Sequence, residues 1–215
     1  IVPWEMIPVY VDLGTIFLLM GMMIIVNISR ESGLFEYIAI KTAKLAKGSP
    51  MRVLLLFSIV TGLTSAFLDN VTTVLLITPM LLYVASVMNV SPVPYLIAEI
   101  FASNIGGAAT LIGDPPNIMI GSAAGLTFNE FIVNMAPIMA VDLIVVLGML
   151  ALIYREDLHL SPGERAGIEK TFADLKEREA IRDRPLFGKS VAVILLVIGM
   201  FFFQTGSAWN PPSSP

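Results

Sequence analysis

The sequence predicts an all-α, polytopic membrane protein containing a helical hairpin and a broken transmembrane helix. Three observations predict it. Of 215 residues, 56% are hydrophobic and only 14% charged, whereas a soluble domain carries roughly 25% charged residues; the mean hydropathy is +0.82. The apolar runs leave room for five or six passes, at about 20 residues each. All 13 Lys and Arg residues fall in two segments. Residues 30–52 hold Arg30, Lys41, Lys44, Lys47 and Arg52. Residues 155–189 hold Arg155, Arg165, Lys170, Lys176, Arg178, Arg182, Arg184 and Lys189. Lys and Arg collect in cytoplasmic loops, so both segments are expected in the cytoplasm, with the chain in a bacterial inner membrane or its equivalent.

The elements follow in order. Residues 11–29 form one apolar helix, with Asp12 at one end and Asn27, Ser29 and Arg30 at the other. In 34–47, Leu34, Ile38, Lys41/Thr42 and Leu45 are helically spaced with lysines to one side, the pattern of an interfacial helix, and Gly48-Ser49-Pro50 ends it. Residues 53–88 are apolar except for Asp69-Asn70-Val71-Thr72-Thr73, where two short helices meet as a hairpin. A turn at 89–95 leads into 96–122, an apolar run interrupted by Ser103-Asn104-Ile105-Gly106-Gly107-Ala108-Ala109-Thr110-Leu111-Ile112-Gly113-Asp114-Pro115-Pro116-Asn117. Residues 125–134 are polar-flanked, with Asn129 and Glu130, and 135–154 and 190–206 are further spans. From the cytoplasmic segments, the first helix enters, the hairpin starts and ends inside, 96–122 leaves, 135–154 returns, and 190–206 leaves again. Every basic residue then lies on one side. No internal repeat is evident.

Composition also excludes. Without cysteine there is no disulfide framework, thiol chemistry or Cys-ligated zinc site. The net charge of −4 gives no basic excess for nucleic acid. Residues 1–10 lack the basic region and cleavage site of a secretory signal. The chain opens on Ile1 and closes on a Pro/Ser-rich tail, 207–215, which is expected of a fragment.

Two polar patches carry the chemistry. Gly and Pro break helices, and irregular backbone at membrane depth must be buried in protein or line a wet cavity. If the hairpin tip lies at mid-membrane, the second arm presents free N–H groups and a positive dipole end there. Asp69, the Asn70 oxygen and nearby carbonyls suit instead a cation such as Na⁺. The alternative stays open that Asp69 caps a helix in a short extramembrane loop. In the second patch, Ser103-Asn104 end one half-helix, with Gly106 and Gly107 as the stop. Gly113-Asp114-Pro115-Pro116 start the next, Asp114 as cap and Pro115 at the first helical position. Carbonyls of the first half and N–H groups of the second would converge, as in the discontinuous helices of secondary transporters. A structural kink needs one Pro, not this whole run. Both patches fall near the midpoint of an apolar stretch. Glu99 is expected near the inner end of the broken helix, in solvent; Asp142 near the outer interface; His159 is a lone loop histidine; and the twelve methionines are lipid-facing or packing residues.

The sequence resembles the ion transporter superfamily of ArsB/NhaD permeases, citrate transporter-like proteins and divalent anion/sodium symporters, and most strongly its P permease branch, named for the pink-eyed dilution protein. The residues that carry this are Gly21 to Val26, Ser65 to Thr73, Ala102 to Thr110 and Ile112 to Asn117, within a match over about residues 11–155. The resemblance implies two inverted repeats, each with a re-entrant hairpin and a broken helix. Residues 1–154 would be the first repeat, 155–189 a cytoplasmic linker and 190–206 the first helix of a second repeat that the chain lacks. The implied site takes Asp69, Asn70, Thr72 and Thr73 from the hairpin tip. From the broken helix it takes Ser103, Asn104, Gly106, Gly107, Thr110, Gly113, Asp114, Pro115, Pro116 and Asn117. Candidate Na⁺ ligands are Asp69, Asn70, Asn104 and Gly107. In symporter relatives a serine precedes the tip asparagine; Asp69 stands there instead and favours a proton or another cation.

The expected function is therefore ion-coupled secondary transport of a small ion or an organic or inorganic anion, by symport or antiport, with Na⁺ or H⁺ as coupling ion and no other cofactor. The expected partners are the bilayer, the small ionic solute, the missing second repeat and a second copy as homodimer, with no nucleic acid. A non-transporting half-length membrane subunit is the alternative. No enzyme is expected: intramembrane aspartyl proteases use Gly-x-Gly-Asp, and residues 111–114 read Leu-Ile-Gly-Asp. No basic residue lies between 53 and 154 to mark an anion site.

Overall fold

The structure is a computed structural model that describes residues 13–203. Asp12, the tail 207–215 and residues 204–206 of the last expected span lie outside the described residues. The described chain is helical throughout: α1 (Leu13–Glu31), α2 (Leu34–Ala46), α3 (Pro50–Ser65), α4 (Asn70–Val87), α5 (Val93–Ala108), α6 (Pro115–Ala124), α7 (Phe128–Ile153), α8 (Pro162–Asp174), a 3-10 turn (Glu177–Ala180) and α9 (Arg184–Phe202). Helices α1, α4, α7 and α9 are long and apolar enough to cross a membrane. Their outward faces carry exposed Phe17, Leu75, Ile144 and Leu195, so the protein is an integral, multi-pass membrane protein.

Local chemistry sets the ends of these helices. Asp69 caps α4 by accepting from the Thr72 N–H at 2.8 Å. Thr127 with Glu130, and Ser161 with Glu164, close capping boxes at the starts of α7 and α8. Pro50 and Pro115 sit in first turns, where a missing N–H costs nothing. The capping box at Thr127 corrects one boundary: the helix expected from 135 starts at Phe128, so 128–134 are the first turns of α7. Gly33 joins α1 to α2 at φ +85°, and a Cβ there would strike the backbone of Ala180.

The centre of the fold is α5, held between α3, α4 and α7. Gly62 meets Gly106, and Ala66 accepts from Thr110 Oγ1, so α3 and α5 run parallel. Asn70 meets Asn104 and Thr78 meets Glu99, so α4 runs antiparallel to α5. In lipid there is little hydrophobic drive between helices, and small residues that let backbones approach supply the packing. Helix α5 has such a stripe in Ala98, Ala102 and Gly106, all buried.

The main core lies between the end of α5 away from the break and the cytoplasm-expected segments. It joins Phe57, Leu81 and Tyr95 to Leu158, Ile168 and Phe172 of the 155–183 segment. Helix α2 packs into it through Ala39, Ala43 and Ala46. Of the Leu34, Ile38, Lys41/Thr42 and Leu45 face, Leu34 and Thr42 are buried and Ile38 is half-buried, while Leu45 is 61% exposed. The small alanines let α2 approach its neighbours closely. Lys44 pairs with Glu177 at 2.6 Å and Arg182 with Glu36 at 3.0 Å, fastening the linker across α2.

Candidate functional site

The hairpin tip, residues 66–69, and the break, residues 109–114, lie against each other. Ser65 Oγ donates to the Ser103 carbonyl at 2.6 Å, and Thr110 Oγ1 donates to the Ala66 carbonyl. The Asn70 amide donates to Asn104 Oδ1 at 3.0 Å. The two patches, 34 residues apart, thus form one surface.

The break is held open by side chains and glycines together. Asn117 Nδ2 donates to the Gly107 and Thr110 carbonyls at 3.1 and 2.9 Å, bridging both sides of it. Gly113 N–H donates to Thr110 Oγ1 at 3.2 Å. A Cβ on Gly107 would stand 2.8 Å from the Gly113 carbonyl oxygen, and one on Gly113 2.7 Å from that of Ser65. Only glycine fits at either position.

Three expectations for this patch are corrected. Gly106 and Gly107 do not stop the half-helix; α5 continues to Ala108, and neither glycine has a left-handed φ. Their role is close approach. Asp114 occupies the cap position of α6 but makes no capping hydrogen bond. The first turn of α6 brings no free N–H to the break, because Pro115 and Pro116 have none and the Asn117 N–H donates to the Asp114 carbonyl at 3.0 Å. At α4 the Val71 and Thr72 N–H groups are likewise taken, by Asn70 Oδ1 and Asp69 Oδ1.

The surface therefore presents acceptors. Asp69 and Asp114 stand near enough for their charges to repel. Asp69, Asn70, Asp114 and Asn117 are partly exposed, Asn104 is exposed, and Ser103, Thr110 and Gly113 are buried beneath them. Of the candidate Na⁺ ligands, Asp69 Oδ1, Asn104 Oδ1 and the Gly107 carbonyl each already accept one internal hydrogen bond, and each keeps a further lone pair. Among the described residues neither carboxylate is in an ion pair, and such a pair suits a cation or a proton.

Thr72 and Thr73 diverge from this surface. Thr73 is buried, its hydroxyl without a hydrogen-bond partner. Thr72 lines a groove of about 360 Å³ between α1 and α4, with Asn27 and Arg30. Arg30 is a residue that inspection of 53–154 alone could not find, since α1 supplies it. Glu99 is the other. Expected in solvent, it is 1% exposed. Thr78 Oγ1 donates to its Oε2 at 3.0 Å, and its Oε1 has no partner. Asp142 is exposed on α7.

Residues 1–213 match the citrate transporter family. A 46 kDa membrane protein of Mycobacterium leprae (strain TN) is 50% identical over 191 residues, covering 89% of this chain and 44% of that protein. An uncharacterized transporter of Mycobacterium tuberculosis (strain ATCC 25618 / H37Rv) is 49% identical over the same length and shares. The P protein of Homo sapiens is 37% identical over 202 residues, covering 86% of this chain and 24% of that protein. The chain thus spans less than half the length of these relatives.

Proposed function

The chain belongs to the citrate transporter family, and from that premise we propose that it is the first half of an ion-coupled secondary transporter. The observation that carries this reading is the pairing of Asn70 with Asn104, which brings tip and break onto one acceptor-lined surface. A loop and a kink with only structural duties have no need to meet through polar side chains.

In this reading Asp69, Asn70, Asn104, Asp114 and the carbonyls around Gly107 hold the coupling ion, Na⁺ or H⁺. The solute is a small ion, and an anion is favoured by Arg30, which brings positive charge to the Thr72 groove. The second half of the full-length protein completes the pocket, and the two halves expose it alternately to each side. The hairpin is re-entrant, segments 30–52 and 155–189 face the cytoplasm, and the full-length protein forms a homodimer in the inner membrane.

Two measurements test this. Everted vesicles carrying the full-length protein are screened with Na⁺, H⁺, citrate and arsenite; gradient-driven uptake of one of them is expected, and no uptake by inserted protein overturns the reading. Single cysteines at 69 and 114, in a full-length protein with any cysteines outside this chain replaced, are labelled; the chain itself brings none. Slow labelling, protected by solute, is expected; free labelling from outside without protection places both on an ordinary loop.

A further inference from the structure

Glu99 is buried at the centre of the described helices, and its surroundings give it no structural excuse. It is 1% exposed, on a helix held between α3, α4 and α7. No cation neutralises it among the described residues. Of the elements packed against α5, α3 carries Arg52, exposed at its first turn, and α4 carries Tyr83, 46% exposed. Helix α7 carries Glu130 and Asp142, both exposed, and Arg155, Glu156, Asp157 and His159 beyond it are exposed too. On α5 itself the other titratable group is Tyr95, one turn before Glu99 and also buried. A carboxylate taken out of water is normally paired or hydrogen-bonded at both oxygens. Here Thr78 serves Oε2 and nothing serves Oε1.

The neighbours form a pattern. Tyr95, Glu99 and Ser103 recur at every fourth residue, on one face of α5, and each is 1% exposed. Thr61 on α3 and Thr73 on α4 are buried, and their hydroxyls, like that of Tyr95, have no hydrogen-bond partner. A hydroxyl both donates and accepts, so each of these buried groups, like Glu99 Oε1, is left with unused hydrogen-bonding capacity. Asn104, at the tip surface, lies five residues beyond Glu99, about 7–8 Å along the helix axis.

We propose that Glu99 is a proton-binding site, separate from the acceptor surface at the tip, and that its loading and unloading couples the proton to solute movement. A hydronium ion reaching Glu99 gives a proton to Oε1 and leaves as water; release reverses the step. Thr78 holds Oε2 in both states. The inference rests on the transport reading above and names the proton as its coupling ion.

The test uses the full-length protein in proteoliposomes, as wild type, Glu99→Gln and Thr78→Val, with infrared difference spectra across a pH titration and with citrate as the transport probe. Glutamine keeps the shape and the acceptor for Thr78 but cannot bind the proton. A carboxylic-acid C=O band that follows pH, is absent in Glu99→Gln and shifts in frequency in Thr78→Val is expected. Spectra of Glu99→Gln identical to wild type overturn the proposal. In transport, Glu99→Gln is expected to keep citrate–citrate exchange and to lose accumulation driven by a pH gradient; wild-type accumulation in this variant also overturns it. Should wild type move no citrate, that reading fails for citrate while the infrared bands still decide on Glu99. Should Glu99→Gln not insert, an unshifted band in Thr78→Val overturns the proposal and a shifted one supports it.

Discussion

Gly106 lies against Gly62 so closely that a Cβ on Gly106 would stand 2.6 Å from the Gly62 Cα. The obstacle is backbone, which no side-chain rotation relieves, so Gly106→Ala forces α3 and α5 apart. A loss of about 1–3 kcal/mol is expected, measured as a lower thermal unfolding midpoint in detergent. Gly148→Ala on α7, with nothing within 4 Å of its added Cβ, is expected to stay within about 0.5 kcal/mol of wild type. Equal melting of the two variants contradicts the packing described.

The Asn70–Asn104 bond lends itself to a double-mutant cycle. Asn70→Ala and Asn104→Ala are each expected to weaken the tip, with a coupling energy of about 0.5–1.5 kcal/mol between them. Gradient-driven uptake should fall in each single variant and no further in the double. Strictly additive losses in stability and uptake mean that the two amides act independently.

Asp69→Asn and Asp114→Asn separate charge from fold. Asparagine is as good an N-cap as aspartate, so α4 should keep its start, and Asp114 makes no cap bond to lose. Both variants are expected to insert normally and to lose ion-coupled transport in the full-length protein, as measured by gradient-driven uptake. Full coupled uptake in both rules these carboxylates out of the ion's path.

The linker should loosen in acid. The hydrogen bond from Lys44, together with a backbone hydrogen bond and the charges of Lys44 and Arg178, holds the Glu177 carboxyl below its ordinary value of 4.5. A depressed folded value means that the tie is fully present above the unfolded value and disappears as pH falls through the folded one. Anisotropy of a fluorophore on a cysteine introduced at Lys170 is expected to stay flat above about pH 4.5 and to drop below it. Glu177→Gln should lower it at neutral pH and flatten the curve; a wild-type curve in that variant refutes the tie.

Much of the molecule could be read from residue order, for reasons that are local. Asp69 before Asn70 and Pro115 after Asp114 are start signals that act through their own backbone, and the helices begin where they point. The capping box at Thr127 and Glu130 was equally legible and places the start of α7 seven residues before 135. What escaped depends on which neighbours arrive. A glycine that ends a helix and a glycine that admits another backbone look alike in sequence, and Gly106 is the second kind only because Gly62 faces it. Glu99 reads as a solvated residue near a helix start until α5 is set among α3, α4 and α7, where its side chain is 1% exposed. The four-residue spacing of Tyr95, Glu99 and Ser103 was the available signal.

The contacts of Ser65 with Ser103, Ala66 with Thr110 and Gly62 with Gly106 weld the hairpin to the helix it leans on. The first arm is thus fastened at backbone distance, and the second is tied by the Asn70–Asn104 side chains. Under the transport cycle proposed above, the stroke is then expected at the outer boundary of this body, which tilts or shifts whole while Asn70 and Asn104 keep their places relative to each other.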